Sequence, residues 1–241
     1  MFKILQFTRH FGSKVYDPKQ LETFRQQLFL VNDQDEFIKT IDKYTAHNWE
    51  WICSNDALPH RAFSLLIFNK NFELLLQQRS SIKVTFPLYW SNSCCSHPIV
   101  GRSIFEICDE ATERAKFELG TDLCPRSLKF LSKVLYKSQS DQNWGEYEMD
   151  YVFFVMTDKY SNENRPVINS EEVNDIMWIN RSGIEQFIDR KDLKVTPWFD
   201  IFIRNTDLLK WWEAFEKGKI EDYENSDEIL DLSQIQVNHR L

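Results

Sequence analysis

Short apolar runs bounded by polar, turn-forming residues dominate this chain, and helical spacing is sustained in only a few stretches. The segment from Pro18 to Gln26 predicts a short helix, and the apolar run "LFLVN" after it predicts a strand. "RAFSLLIFN" and "FELLLQQRS" flank Asn69-Lys70-Asn71 and predict a hairpin. "GRSIFEICDEATERAKFELG" carries acidic residues early and Gly120 at its end, which predicts a helix that stops there. "SLKFLSKVLYKS" and "EYEMDYVFFVM" predict two strands around a polar loop, "DIMWIN" another, and "RSGIEQFID" a short helix. From Pro197 to Phe215 the spacing predicts one strong helix, and the remainder is acidic, reading as a tail or a surface helix. Strands interleaved with helices predict an α/β protein, an α+β sandwich whose mixed sheet lies between helices.

Composition narrows the function. A length of 241 residues suits one large domain or a core domain with extensions. The net charge of −8 leaves no long basic surface, so nucleic acid is not an expected partner. No apolar run approaches the ~20 residues of a membrane span, and the apolar start "MFKILQF" is too short for a secretory signal. The five cysteines show no framework spacing, so reduced thiols and a cytoplasmic location are expected. The end "NHRL" lacks the small residue of a peroxisomal address, in keeping with that expectation. A monomer is expected.

Candidate chemistry starts at "WSNSCCSHP", where a thiol lies two residues from an imidazole. His47, His60 and His97 fall at strand edges or in loops; a lone histidine is more often a satisfied polar residue than a ligand. In "EYEMD" a strand projects Glu146 and Glu148 onto one face, because strand side chains alternate. Two carboxylates entering a core-bound strand are costly without a cation between them; an edge strand with both in water is the bland alternative. Joined, these residues form a His3Glu2 set suited to Mn²⁺, Zn²⁺, Fe²⁺ or, less comfortably, Mg²⁺, with one open position. A structural zinc site would prefer four ligands and cysteine.

Six ordered segments, "KYTAH", "HRAFSLLIFN", "LLLQQRS", "SNSCCSHP", "WGEYEMDY" and "TPWF", resemble the type I isopentenyl diphosphate isomerases, a metal-dependent branch of the Nudix fold. The resemblance runs from residue 27 to 215, implying an isomerase domain there, an N-terminal extension over 1–26 and a C-terminal tail or surface helix over 216–241. It implies interconversion of isopentenyl and dimethylallyl diphosphate through a tertiary carbocation, so the expected partner is a small prenyl diphosphate. Cys95 and Glu148 are implied as the proton-transfer residues, Tyr136 as the phenol assisting Glu148, and Trp198 as the indole lining the pocket. His47, His60, His97, Glu146 and Glu148 are the implied ligands of one divalent ion (Mn²⁺, Zn²⁺ or Mg²⁺). Glu118 is the implied holder of a Mg²⁺ on the diphosphate, with Lys43, Arg79, Lys83, Arg114 and Ser96 as substrate contacts.

Cys94 matches a non-catalytic position and reads as a small buried apolar residue. Two departures stand out. Leu88 follows Pro87 where the family usually has glycine, and Glu113 occupies a position that is commonly arginine. A Nudix hydrolase is a poor rival, since "TERAKFELG" keeps only Glu118 and Gly120 of the ending that hydrolysis needs. A degenerate prenyl-diphosphate binder predicts loss of Cys95, Glu148 or a ligand, and all are present. A thiol oxidoreductase is poorer still, because adjacent cysteines lack the usual two-residue spacer.

Overall fold

The segment "HRAFSLLIF" becomes β3 (His60–Phe68), in which all nine residues are buried. The computed structural model describes residues 16–99, 103–224 and 228–235; most of the expected N-terminal extension, the "NHRL" end, His10 and His239 lie outside the described residues. Its apolar run "LLIF", residues 65–68, suits β3 to a central position covered on both faces. It pairs in parallel with β8 (Gly145–Met156) from His60↔Glu148 to Phe68↔Met156, and antiparallel with the short β6 (Cys94–Ser96). Beyond β8 lies β7 (Lys129–Gln139), and beyond that β10 (Ile229–Asp231), parallel to β7. On the opposite side β1 (Gln27–Val31) meets β3 at Leu30↔His60 and carries β2 (Phe37–Asp42) at the edge. A second arm joins β4 (Leu74–Arg79), β5 (Trp90–Ser91) and β9 (Val173–Ile179).

Besides the short α1 (Pro18–Thr23), α2 (Lys43–His47) and α3 (Trp49–Ile52), helices cover both faces, as the mixed pattern predicts. On one side α4 (Ile104–Leu119) buries Ile107, Ala111, Ala115 and Leu119 against Phe63, Leu65 and Ile67 of β3. Its start is a complete capping box of Ser103 and Glu106, and Gly120 ends it at φ +62°. That conformation suits glycine, and a Cβ there would also meet the Val167 carbonyl oxygen at 2.6 Å. On the other side α5 (Ile184–Ile188), α6 (Pro197–Asn205) and α7 (Leu208–Glu216) pack against Leu66, Phe68, Val152 and Phe154. Among the described residues no helix is long and apolar enough to cross a membrane.

Three elements differ from the pattern-based expectation. The hairpin after Asn69 survives as a single rung, Phe68↔Leu74, because β3 turns to β8 while β4 turns to β9. The one helix expected over 197–215 breaks at Thr206, whose hydroxyl donates to the Phe202 carbonyl and accepts from the Leu208 amide. A side chain that satisfies both flanking turns replaces the helical hydrogen bonds. The acidic segment after 216 contributes a short turn, Ile220–Tyr223, and the strand β10.

The loop from β4 to β5 frames the site. Arg79 N–H donates to the Tyr89 carbonyl and Leu88 N–H to the Arg79 carbonyl, so the loop closes on itself. Leu88 is thereby held at φ +63° with its side chain 44% exposed. The chain keeps a glycine-type turn without the glycine. Because the left-handed region costs a non-glycine residue about 1–2 kcal/mol and an exposed leucine contributes little packing, Leu88→Gly should raise the unfolding free energy by about 1 kcal/mol. Chemical denaturation checks this; a loss of stability would show that the leucine side chain holds the loop.

Candidate active site

Strand alternation divides β8 cleanly. Met149, Tyr151, Phe153 and Val155 join the core beneath α4, while Val152 and Phe154 join the core beneath α6 and α7. Glu146, Glu148 and Asp150 therefore extend the second face toward the N-terminal end of the strand. All three are buried, at 4%, 7% and 1% exposure. The parallel register sets His60 directly beside Glu148, and the antiparallel register of β7 sets Tyr136 on its other side. Two further imidazoles arrive from outside the sheet. His47 ends α2 (Lys43–His47), a single turn capped by the Asp42 carboxylate, and His97 follows β6.

The three rings sit 4.7–5.0 Å apart, centroid to centroid. His47 Nε2 lies 3.0 Å from Glu146, while His60 Nε2 and His97 Nε2 lie 3.3 and 2.9 Å from Glu148 Oε1. One ligand atom from each of the five residues falls within 4.8 Å of every other. Burial pulls the His47 imidazole below its usual range, against the pull of Glu146, and takes His97 well below it, helped by Lys43. Burial pushes the Glu146 and Glu148 carboxyls up, but His47 for the one and His60 with Tyr136 for the other outweigh it, so both lie below the ordinary range. Neutral imidazoles and ionised carboxylates are the ligating forms.

The donor set fits a divalent ion. His60 Nε2 and Glu146 Oε2 are buried without a hydrogen-bond partner among the described residues, an arrangement costly unless a cation receives their lone pairs. His47 Nδ1 is 2.8 Å from the Lys43 carbonyl oxygen, which can only accept, so the hydrogen sits on Nδ1 and the Nε2 lone pair points inward. Lone histidines at a strand edge and carboxylates in water are not what the chain builds here.

Next to this cluster is a cavity of about 60 Å³ lined by Cys95, Glu148, Tyr136, Trp198, Phe24 and Val84. Tyr136 donates its hydroxyl hydrogen to Glu148 Oε2. The adjacent cysteines part company because β6 alternates: Cys94 is fully buried beneath α4, and half-buried Cys95 turns to the cavity opposite Ser64. Burial pushes the Cys95 thiol up to about 12, so it is protonated at neutral pH. The Trp198 indole is held by its edge. Its Nε1–H donates to Asn92 Oδ1 at 3.0 Å, and the Asn92 amide donates to the carbonyls of Leu65 and Cys94. Thr196, at the start of α6, donates its hydroxyl to Ser91 at 3.0 Å, which docks the helix of Trp198 on β5, the strand that precedes the one bearing Cys95.

A second, larger cavity of about 320 Å³ adjoins the first, and Lys43, Lys83, Arg114, Ser96 and His97 line both. Lys43 is lowered to about 8 by burial and by repulsion from Lys83 and Arg114. Arg79 lines only the inner cavity. It donates to the carbonyls of Thr85 and Phe86, and its guanidinium lies 5.5 Å over the Trp198 ring. Glu118 lines neither cavity; it is buried beside Arg114, accepting from Arg114 Nε at 2.7 Å and from Gln77 at 3.2 Å. Every expected site residue except Glu118 thus lines one of the two cavities or joins the His3Glu2 cluster, and Glu118 is linked to them through Arg114. Pattern reading did not single out Asn92, Asp150 or Glu172. Asn92 lies within "WSNSCCSHP", and Asp150 continues the alternation begun at Glu146, so both had a local signal. Glu172, beside Lys83 and Arg114, had none.

No protein-family model matches the chain. It is 40% identical over 215 residues to isopentenyl-diphosphate Delta-isomerase II of Clarkia breweri, covering 83% of this chain and 72% of that protein. It is 39% identical, with the same coverage, to a chloroplastic isopentenyl-diphosphate Delta-isomerase 1 of Cannabis sativa. It is 38% identical to isopentenyl-diphosphate Delta-isomerase I of Camptotheca acuminata, covering 88% of that protein. A solved Deinococcus radiodurans structure superposes with a TM-score of 0.50 at 18% identity, covering 74% of this chain and 98% of its own, a likeness of fold.

The cluster predicts one divalent ion per chain. At free ion a hundred-fold above its dissociation constant, binding to the folded state should add about 2.7 kcal/mol to the unfolding free energy. His60→Ala should abolish that increment, as measured by thermal unfolding with and without Mn²⁺ or Zn²⁺. An undiminished increment in the variant would place the ion elsewhere.

Proposed function

The chain belongs to the isopentenyl-diphosphate Delta-isomerase family, and we propose that Cys95 and Glu148 are the two proton-transfer groups through which it interconverts isopentenyl and dimethylallyl diphosphate. The observation that carries this reading is the convergence of Cys95, Glu148, Tyr136 and Trp198 on one small cavity beside the His3Glu2 cluster. The reaction adds a proton at C4 of an unactivated alkene, leaves positive charge at C3 and removes a proton from C2. It needs one donor and one acceptor, whose roles exchange in the reverse direction. A protonated sulfur and a carboxylate held below its usual range carry one proton between them, which is the required stoichiometry. Tyr136, bonded to Glu148, keeps that carboxylate oriented.

The tertiary cation must be kept from water. Trp198, 3% exposed and anchored by Asn92, offers a π face, a contact worth ~2 kcal/mol when desolvated. Enclosure and fixed charge must supply most of the remaining acceleration. His47, His60, His97, Glu146 and Glu148 would hold one divalent ion, which supplies a fixed positive charge beside Glu148. A Mg²⁺ held through Glu118 would offset charge on the diphosphate, whose oxygens Lys43, Lys83, Arg79, Ser96 and Arg114 would meet across the two cavities.

These candidate residues all lie between 43 and 198, which supports an isomerase unit over 27–215. The N-terminal flank supplies Gln20, Thr23 and Phe24 to the cavity wall. No residue of the site need come from another chain, which supports a monomer. Five unpaired cysteines support a cytoplasmic location, although the Cannabis and Arabidopsis relatives are named chloroplastic.

Incubation with isopentenyl diphosphate and Mg²⁺ should yield dimethylallyl diphosphate; release of inorganic phosphate instead would mark a hydrolase. Cys95→Ala should leave folding and metal content intact and lower turnover by ~10²–10⁴-fold or more, the contribution of one acid–base group. Cys94→Ala, which removes a buried sulfur from the opposite core, should cost chiefly some stability. Equal, modest losses of isomerase activity in the two variants would overturn the assignment of Cys95.

A further inference from the structure

Two of the cations expected on the diphosphate already share an anion. Lys83 Nζ and Arg114 Nη2 lie 2.5 and 2.8 Å from the same oxygen, Oε2 of Glu172. That oxygen therefore occupies the point between two cations where an oxygen of a phosphate ligand would sit. The arrangement is built in. Glu172 is 7% exposed, its carbonyl accepts from Ser80 N–H at 2.9 Å, and Lys83 N–H in turn donates to the Ser80 carbonyl. The residue belongs to the wall of the outer cavity, which it shares with Lys43, and its carboxyl is lowered to about 2 against the push of burial, chiefly by Lys83 and then Arg114. Arg114 is divided between Glu172 and Glu118, so neither guanidinium edge is left wholly for a ligand.

We infer that Glu172 is a specificity-determining residue of the diphosphate subsite: a tethered carboxylate that an incoming ligand must displace from Lys83 and Arg114. The inference rests on the proposed function for the identity of the ligand. A tethered anion competes at high effective concentration, so a singly phosphorylated or small inorganic anion gains little by replacing it. A diphosphate carries more charge and reaches Lys43 as well, so it gains from the exchange. Discrimination of this kind works by penalising the wrong ligand rather than by adding contacts to the right one. The same residue limits how tightly any diphosphate is held, and hence favours its release.

The test uses the full chain with its divalent ion retained, inorganic phosphate and inorganic diphosphate, with affinities read by titration calorimetry. Glu172→Gln keeps the shape and removes the charge. Diphosphate should bind it about ten-fold more tightly than the wild type, the order expected for removing one like charge from a partly buried anion site. Phosphate should gain at least as much, narrowing the ratio between the two. Glu172→Asp, whose carboxylate is retracted by one methylene, should shift both affinities in the same direction by less, and serves if the glutamine variant unfolds. Lys83→Met should cost more diphosphate affinity in the Glu172→Gln background than in the wild type. Unchanged or weaker anion binding in folded Glu172 variants would overturn the inference. Because the probes are inorganic, a wild type without isomerase activity would sink the functional reading alone and leave these ratios standing.

Discussion

The site depends on the burial of two carboxylates on one face of a central strand. Glu146 and Glu148 are 4% and 7% exposed, and a buried carboxylate without compensation costs several kcal/mol. Compensation has to be assembled from other parts of the chain. His60 comes through the parallel register of β3, Tyr136 through the antiparallel register of β7, His47 through the single turn of α2, and His97 through the exit from β6. A slip of one residue between β3 and β8 would swing both carboxylates into the apolar core beneath α4. Register, burial and the donor set are therefore one constraint seen from three sides.

The same alternation explains the paired cysteines. On β6 one sulfur is spent on the core and the other on the cavity, so two identical neighbours have different environments. The cavity's far wall is tied to that strand rather than left to the mobility of a loop. Asn92 uses its acceptor on Trp198 and Ser91 and its donors on Leu65 and Cys94, all within a fully buried network. Sulfur and indole are thus fixed relative to one another through a single amide. Such a network is rigid because any broken bond would leave a buried polar atom unpaired.

Charge is balanced in the outer cavity as closely as apolar packing is in the inner one. Lys83 pairs with Glu172 and Arg114 with both Glu172 and Glu118, while Lys43 and the exposed Glu113 share the wall of the same cavity. An overall acidic protein can accordingly present a strongly local cationic site without an extended basic surface. The turn at Leu88 is held by hydrogen bonds to Arg79, whose guanidinium also reaches the Thr85 and Phe86 carbonyls and the Trp198 ring. A backbone conformation that disfavours leucine is tolerated there because the surrounding contacts leave it no alternative.

The chain by itself determined everything that local chemistry decides. Period-two alternation in "EYEMD" put Glu146 and Glu148 on one face, Gly120 marked the end of α4, and three histidines with two glutamates defined a donor set. Their order along the chain was enough to name a family. Tertiary structure alone decided what depends on partners distant in sequence. The expected hairpin kept one rung because β3 gains more from the long parallel pairing with β8 than from its neighbour β4. The acidic tail yielded a strand only because β7 offered an open edge, and the helix after Pro197 ended where a threonine could satisfy both turns. Glu172 is the clearest case. In sequence it is one of two adjacent glutamates in a polar loop, and its place between Lys83 and Arg114 exists only once β4, β9 and α4 have been brought together. Side-chain periodicity reports the energetics of neighbours in the chain, whereas the balance of buried charge is set by neighbours in space.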